Sequence, residues 1–431
     1  MSLRAVRAGV SSDTRDADPG ASVPAAVTPA LLARTIAELR RARHALAARS
    51  TDSIVAALSR VVDAWLAPRS TWRTRAETLL PAATGFSPAM VRHALPTMLD
   101  PLRAPALGEL IAAEAGARRG PELILHVLPG NLPGLAAIPA ALSLAIGSAA
   151  LLKAGRGDRV FPQLLVESIA AHDAELGRCL AACYWPGGDP AAEPVALAAA
   201  DLVVASGDDA TIRALAAGAR GRFIGHGHRV SFAAVSRECT TGEAAAQLAE
   251  DIAIWDQRGC LSPQLCFVEG DVAAAVGFAT LVAAALRPLA QRLPSGRLSA
   301  AERLAVRRFR DEAEWRGFGG ERTRLFALDG EGDGTVVVEP VPVFEPTPLC
   351  RSLRVVPLAD LHRLPAVLAP ARALLEGAGL AAPPERWPGL AAALAASGVH
   401  RVSPLGAMQR PPLDWRQGGR PRVGDWVAPR G

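Results

Sequence analysis

No block of like charge runs through this sequence. Its 47 Lys+Arg and 42 Asp+Glu leave a net charge of +5 at pH 7, and the basic residues are scattered over helical stretches. A basic surface that would track a nucleic-acid backbone is therefore not indicated. Cysteine is scarce too, with six in 431 residues, at 179, 183, 239, 260, 266 and 350. Six over that length is no disulfide framework. Cys179 and Cys183 have no second pair to complete a zinc site, so no metal centre is expected. This usage fits a reducing, cytoplasmic compartment. A long unbroken hydrophobic run is missing as well. The most apolar stretch, 123–152, is interrupted by Pro129, Pro133 and Pro139 and by glycines at 130, 134 and 147. A strand, a loop and a buried helix explain it better than a membrane span. Residues 1–27 lack the apolar core of a signal peptide and are rich in Ala, Asp, Arg, Gly and Pro. They are expected to form a disordered tail. There is no internal repeat.

What is present is length and alanine. Half of the residues are hydrophobic, and 431 residues suit two or three domains of ~100–200 residues each. Thr28-Pro29 reads as a helix cap followed by proline in the first turn, opening a helix to about Ala48. A second helix follows Ser53, Ser87-Pro88 repeats the cap signal, and Pro105 opens another. The first ~120 residues are thus mainly helical. The texture then alternates. Strands are expected at 123–128, 149–153, 179–185, 202–205 and 222–224, with helices at 133–146, 160–174, 191–200 and 208–217 between them. Strands that alternate with helices form parallel βαβ units, which bind ligands at the carboxyl ends of their strands. Residues 229–235 begin a second α/β region. It has helices at 242–255, 272–286 and 299–315 and strands at 265–268, 325–328, 335–338 and 352–356. Residues 358–398 read as helical, and 403–431 as a Pro/Gly/Arg-rich tail.

One loop stands out, Trp255-Asp256-Gln257-Arg258-Gly259-Cys260-Leu261-Ser262-Pro263-Gln264. It sets a thiol in a polar turn between a helix and a strand. Reactive cysteines occupy such partly open polar sites, and structural ones are buried in apolar surroundings. Cys260 is accordingly either a nucleophile or a small loop residue. Three further turns follow strands: Leu128-Pro129-Gly130-Asn131-Leu132-Pro133-Gly134, Lys153-Ala154-Gly155-Arg156, and Ala205-Ser206-Gly207-Asp208. No GxGxxG fingerprint follows the first strand.

In this order the four segments resemble the aldehyde dehydrogenase superfamily. The match is closer to its fatty acyl-CoA reductase branch, the LuxC-like family of the bacterial bioluminescence reductase. The closer match is carried by Trp255–Gln264, by Gly225-His226-Gly227-His228-Arg229-Val230-Ser231-Phe232-Ala233-Ala234-Val235, and by Gly398-Val399-His400-Arg401-Val402 with Gly406-Ala407-Met408. The resemblance spans roughly 120–430 and implies an aldehyde-dehydrogenase-like α/β fold. In that fold a helical N-terminal region and a Rossmann-type cofactor domain occupy 28–228. A catalytic domain occupies 229–402, with the active site between the two, and a tail at 403–431 packs back on the cofactor domain.

The roles of single residues follow from the same resemblance. Cys260 matches the nucleophile, a thiolate that attacks thioesters and aldehydes and leaves readily afterwards. Asn131 matches the amide that forms an oxyanion hole with the Cys260 N–H; as a residue between prolines it also suits a plain turn. Lys153 matches the lysine at the adenosine ribose or its phosphate. Arg156 stands where many NAD-linked members carry a ribose-binding glutamate, and an arginine there favours the 2′-phosphate of NADPH unless it is simply a solvated surface residue. Ser206 and Gly207 would approach the pyrophosphate, with Asp208 and Asp209 as helix caps. Glu345, in Phe344-Glu345-Pro346-Thr347-Pro348, lies where the family holds the nicotinamide ribose, or is a strand-edge glutamate. The general-base glutamate of hydrolytic members is missing near Gly225. His228 or His226 would then carry a proton, the alternative being a structural histidine.

The implied function is NADPH-dependent reduction of a long-chain acyl thioester, acyl-CoA or acyl carrier, to the aldehyde through an acyl-cysteine. The alternatives are an aldehyde dehydrogenase or acyl-phosphate reductase using the same cysteine, or a non-reducing acyl-accepting subunit. An acyl-transferring partner protein and a homo-oligomer are also implied. The long assembly hairpin of many relatives, however, has little room between Arg118 and Leu123.

Overall fold

The computed structural model describes residues 24–320 and 322–427. Most of the tail expected over 1–27 lies outside them. Residues 24–27 run extended, and the Val27 N–H donates to Tyr184 O at 2.8 Å.

The described chain divides into two compact units, each built on its own sheet. The five-stranded unit holds 24–84, 91–228 and 412–427. It opens with α1 (Pro29–Ala48), α2 (Thr51–Leu66), α3 (Thr71–Thr84), α4 (Pro88–Leu99), whose first turn belongs to the other unit, and α5 (Ala104–Glu114). Thr28 caps α1 by accepting the Leu31 N–H. Ser50 caps α2 by accepting the Ser53 N–H. The helix therefore starts before Ser53, because the cap is the serine whose backbone is still extended.

The sheet follows: β1 (Leu123–Val127), α6 (Ala137–Ala145), β2 (Ala149–Lys153), α7 (Val160–His172), α8 (Ala174–Arg178), β3 (Leu180–Cys183), α9 (Glu193–Ala199), β4 (Leu202–Ser206), α10 (Asp209–Gly218) and β5 (Arg222–His226). All pairings are parallel, in the order β3-β2-β1-β4-β5. β1 and β2 are buried along their whole length, as strands covered on both faces must be. Residues 133–136 form a turn instead of the expected first turn of α6. Gly134, at φ 93°, bends the chain there next to Met98. The tail anchors here too. Glu114 accepts the N–H groups of Val423 and Gly424 at 2.8 and 3.2 Å, and the Trp426 ring lies 5.2 Å from that of His126. Burial pushes His126 down to about 3, so the ring is neutral and bonds Ser143 Oγ at 2.8 Å.

The seven-stranded unit holds 85–90 and 229–411. Its elements are β6 (Val230–Val235), α11 (Gly242–Ala253), β7 (Pro263–Glu269), α12 (Val272–Arg292), α13 (Ala300–Phe318), β8 (Arg324–Ala327), β9 (Thr335–Val338), β10 (Ser352–Leu358), α14 (Leu364–Leu368), β11 (Leu375–Ala381), α15 (Trp387–Ala396) and β12 (Arg401–Pro404). The order is β12-β11-β6-β7-β10-β9-β8, parallel except for β8 at one edge. Two strands depart from the sequence reading: β11 crosses the stretch expected to be helical, and β12 runs into the expected tail. β11 has no β-branched residue, so propensity hides it. Packing selects it. A side chain at Gly377 would meet Leu261 and Ser231, and one at Gly379 would meet Met408.

Among the described residues, α12 is long and apolar enough to cross a membrane. Its residues Ala275, Phe278, Ala279, Val282, Ala283, Leu286 and Leu289 are buried, and it packs on α11, β9 and β10. That is the behaviour of a core helix.

Candidate active site

Cys260 lies in the turn between α11 and β7, at the amino edge of the seven-stranded sheet. The chain enters it by an unusual path. Trp255, Asp256 and Gln257 have φ of 55°, 50° and 65°. Left-handed backbone costs an L-residue roughly 1–2 kcal/mol. A second run, Leu349, Cys350 and Arg351 at 65°, 55° and 60°, leads into β10. Among the described residues these six are the only non-glycines with positive φ.

The two runs are bonded to each other. Arg351 Nε and Nη2 donate to Asp256 Oδ1 at 3.0 and 2.7 Å. Arg351 Nη2 also donates to Leu293 O at 2.7 Å, and the Gly296 N–H donates to Asp256 Oδ2 at 3.0 Å. Gln257 Nε2 donates to the carbonyls of Pro263 and Ser352, both at 2.7 Å, and its Oε1 accepts the Ser352 N–H at 2.8 Å. Asp256, Gln257 and Arg351 are at most 1% exposed. Removing one partner of such a buried pair typically costs ~3–5 kcal/mol.

The neighbouring residues are held as well. Trp255 donates its N–H to Met90 Sδ at 3.2 Å and meets Phe86 edge-on at 5.1 Å. Arg258 pairs with Glu302 at 3.1 Å and lies over the Phe86 ring. On the far side of the thiol the Ser231 hydroxyl donates to Cys260 O at 2.7 Å and accepts the Gly377 N–H at 2.9 Å. The backbone is thus fixed on both sides of a residue that is itself exposed, and Cys260 is the one exposed cysteine of the six. Burial pushes the Cys179 and Cys183 thiols up to about 11 and raises Cys266 as well. Those three are poor thiolates.

Glu345 belongs to the same amino edge. It is exposed and lies 3.5 Å from Arg354 of β10. Two residues on, the Thr347 N–H donates to Gln264 Oε1 of β7 at 3.1 Å. Cys260 and Glu345 therefore occupy one edge of one sheet.

The other selected residues gather at the carboxyl edge of the five-stranded sheet. Asn131 is half-buried in the loop after β1, Lys153 ends β2, Arg156 is exposed in the next turn, and Ser206 and Gly207 follow β4. Glycines let the first two loops interlock. A Cβ at Gly155 would stand 2.5 Å from Gly130 N, and one at Gly157 would run into the Gly130 carbonyl. Gly207 donates its N–H to His226 O at 3.2 Å, and Asp208 caps α10 through the Thr211 N–H at 2.7 Å. That turn therefore offers a ligand the Ser206 hydroxyl and an approach without a side chain. His228 is exposed just after β5, its N–H donating to Asp209 Oδ1 at 3.3 Å.

Lys153 is the only lysine in the sequence and Tyr184 the only tyrosine, and both lie at this edge. The Lys153 ammonium is 5.6 Å from the Trp185 ring centroid, and the Arg159 guanidinium lies 3.5 Å from that of Tyr184. Burial lowers the Lys153 pKa, Arg159 adds to the effect and Glu193 opposes it. Arg159 and Tyr184 were not singled out by motif. Their signal was compositional: a chain that uses arginine almost everywhere keeps one lysine, with its single tyrosine beside an arginine. Asp158, in the same turn, is pushed up to about 7 by burial while its carboxylate accepts the Phe161 N–H.

This pair of sheets defines an aldehyde-dehydrogenase-like fold. Similar structures include aldehyde dehydrogenase 21 of Physcomitrella patens in complex with succinate, at 14% identity and TM-score 0.72 over 93% of this chain and 89% of that one. The NAD-dependent benzaldehyde dehydrogenase of Corynebacterium glutamicum matches at 13% identity and TM-score 0.70 over 89% and 88%. A mutant of aldehyde dehydrogenase C from Pseudomonas syringae, in complex with NAD+ and octanal, matches at 14% and 0.67 over 88% and 81%. No curated protein matches the chain. The family model for acyl-CoA reductase (LuxC) matches residues 116–419. The chain belongs to that family, and it is an oxidoreductase of aldehyde and acyl-group chemistry.

Proposed function

We propose that the protein reduces an acyl thioester, acyl-CoA or an acyl carrier, to the aldehyde through an acyl-cysteine at Cys260, with NADPH as reductant. The exposed thiol on a locked backbone carries this reading: the other five cysteines are buried or half-buried, and this one is held and open.

The carboxyl edge of the five-stranded sheet fits a phosphorylated dinucleotide. Its two interlocked glycine loops leave no room for a Cβ. Its donors are the Lys153 ammonium, the Arg156 and Arg159 guanidiniums and the Ser206 hydroxyl, with Gly207 allowing close approach. Arg156 and Arg159 suit a 2′-phosphate. Glu345 would hold the nicotinamide ribose. When bound, the reduced cofactor supplies hydride.

The chain's own residues do the rest. The Cys260 thiolate attacks the thioester carbon. Asn131 and the Cys260 N–H stabilise the oxyanion. The bond to the carrier sulfur then breaks, and the carrier thiolate takes up a proton. After reduction the thiohemiacetal on Cys260 collapses, its C–S bond breaks, the aldehyde departs and the thiolate returns. The segment Gly225-His226-Gly227-His228 offers no carboxylate to activate water, which suits an acyl group received from a thiol. His228 is the proposed proton carrier.

Intact mass after exposure to palmitoyl-CoA tests the covalent step. An acyl adduct on the wild type and none on Cys260→Ala is expected, and an adduct that persists in the variant refutes the assignment. Palmitoyl-CoA with NADPH, against aldehyde with NAD(P)+ and no CoA, tests the reaction. If only the thiol-free oxidation proceeds, the reductase reading fails.

A further inference from the structure

Non-glycine residues persist in left-handed backbone only where their surroundings over-determine them, and such residues gather at functional sites. Here they form two runs, one of which ends three residues before Cys260. Each run is held by the other. Arg351 of the second run grips Asp256 of the first, and Gln257 of the first grips Ser352 beside the second. We propose that Arg351 is a positioning residue for the Cys260 thiol: its forked ion pair with Asp256 locks the two turns together and so sets the direction in which the thiol is presented. This rests on Cys260 being the nucleophile.

Filling the core does not by itself call for this arrangement. A buried ion pair is often matched or bettered by an apolar pair of similar volume. An apolar pair cannot supply orientation, and the lock does. The guanidinium bonds Asp256 Oδ1 twice and Leu293 O once, and the other carboxylate oxygen takes the Gly296 N–H. Both carboxylate oxygens of Asp256 are thereby held. The segment leading to Arg351 also grips β7 beyond the thiol, where Thr347 meets Gln264. The Cys260 turn is therefore held both before and after that residue by one stretch of chain, 347–352.

The test compares full-length wild type, Arg351→Met, Arg351→Lys and Cys260→Ala. Iodoacetamide alkylation of Cys260 is followed by intact mass from neutral to alkaline pH. Folding is followed by circular dichroism, and palmitoyl-CoA reduction at steady state. For a folded Arg351→Met, alkylation is expected to slow about 10- to 100-fold across the pH profile, the scale of a small misplacement of a reacting group. The kcat should fall by a similar factor while KM stays within about twofold. Arg351→Lys keeps the charge but loses the fork, and should slow alkylation several-fold. If Arg351→Met does not fold, Arg351→Lys decides. Either variant, folded and with a wild-type alkylation profile and kcat, overturns the proposal and leaves Cys260 as nucleophile. A wild type that is alkylated and acylated no more than Cys260→Ala overturns the nucleophile reading, and the positioning role with it.

Discussion

The two candidate edges are built in opposite ways. The carboxyl edge of the five-stranded sheet is shaped by removing atoms: Gly130, Gly155 and Gly157 let two loops press backbone to backbone. The amino edge of the seven-stranded sheet is shaped by forcing ordinary residues into a conformation that glycine would adopt freely. There an aspartate, a glutamine and an arginine hold the backbone from the side. A glycine loop adapts its surface to a ligand. A clamped turn of full-sized side chains fixes one atom in space. The first suits a large cofactor and the second a nucleophile.

Four substitutions sharpen or break this contrast. Asn131→Ala should give the largest effect, a fall in kcat of about 10²- to 10³-fold, the usual loss of one oxyanion donor, while NADPH affinity holds. A near-normal kcat would remove Asn131 from the chemistry. Gly157→Ala should weaken NADPH binding by at least ~10-fold, read by fluorescence titration, because the new Cβ collides with the Gly130 carbonyl and ~1.4 kcal/mol already gives tenfold. Cys260 alkylation should not change. If it slows, the two edges do not act separately. Arg156→Glu should move the ratio of NADPH to NADH affinity toward NADH by roughly tenfold, about one lost charge-assisted pair. An unchanged ratio would make Arg156 a surface residue and leave the phosphate to Arg159.

Asp158→Asn should give the smallest effect, and its sign is set by burial. Asp158 is pushed up to about 7 from an ordinary value of 3.8. The stability tied to its protonated form is complete below about 4 and is lost as pH rises through about 7. Thermal melts of the variant should therefore gain on wild type between those limits. A gap that does not vary with pH would show that Asp158 is not buried as described.

The two edges also differ in how legible they were. The helical N-terminal region, the alternation from 123 to 226 and the four loops could be read because caps, prolines and apolar runs act locally. β11 could not, since Leu375–Ala381 is a strand on account of what Leu261, Ser231 and Met408 place against it. Gly130 and Gly155 were visible as glycines. Asp256 and Arg351 were not visible as partners, because nothing in either segment announces a left-handed turn or names a residue so far along the chain. Arg159 was passed over as one arginine among many.

That separation has a consequence during synthesis. Asp256 and Arg351 are 95 positions apart, and a contact that closes so long a loop forms late, after the local helices and turns. A nascent chain that has exposed Cys260 still lacks the residue that sets it. On the proposed role of Arg351, the thiol leaves the ribosome as an ordinary cysteine, and its turn is locked only when the second half of its own unit has been made.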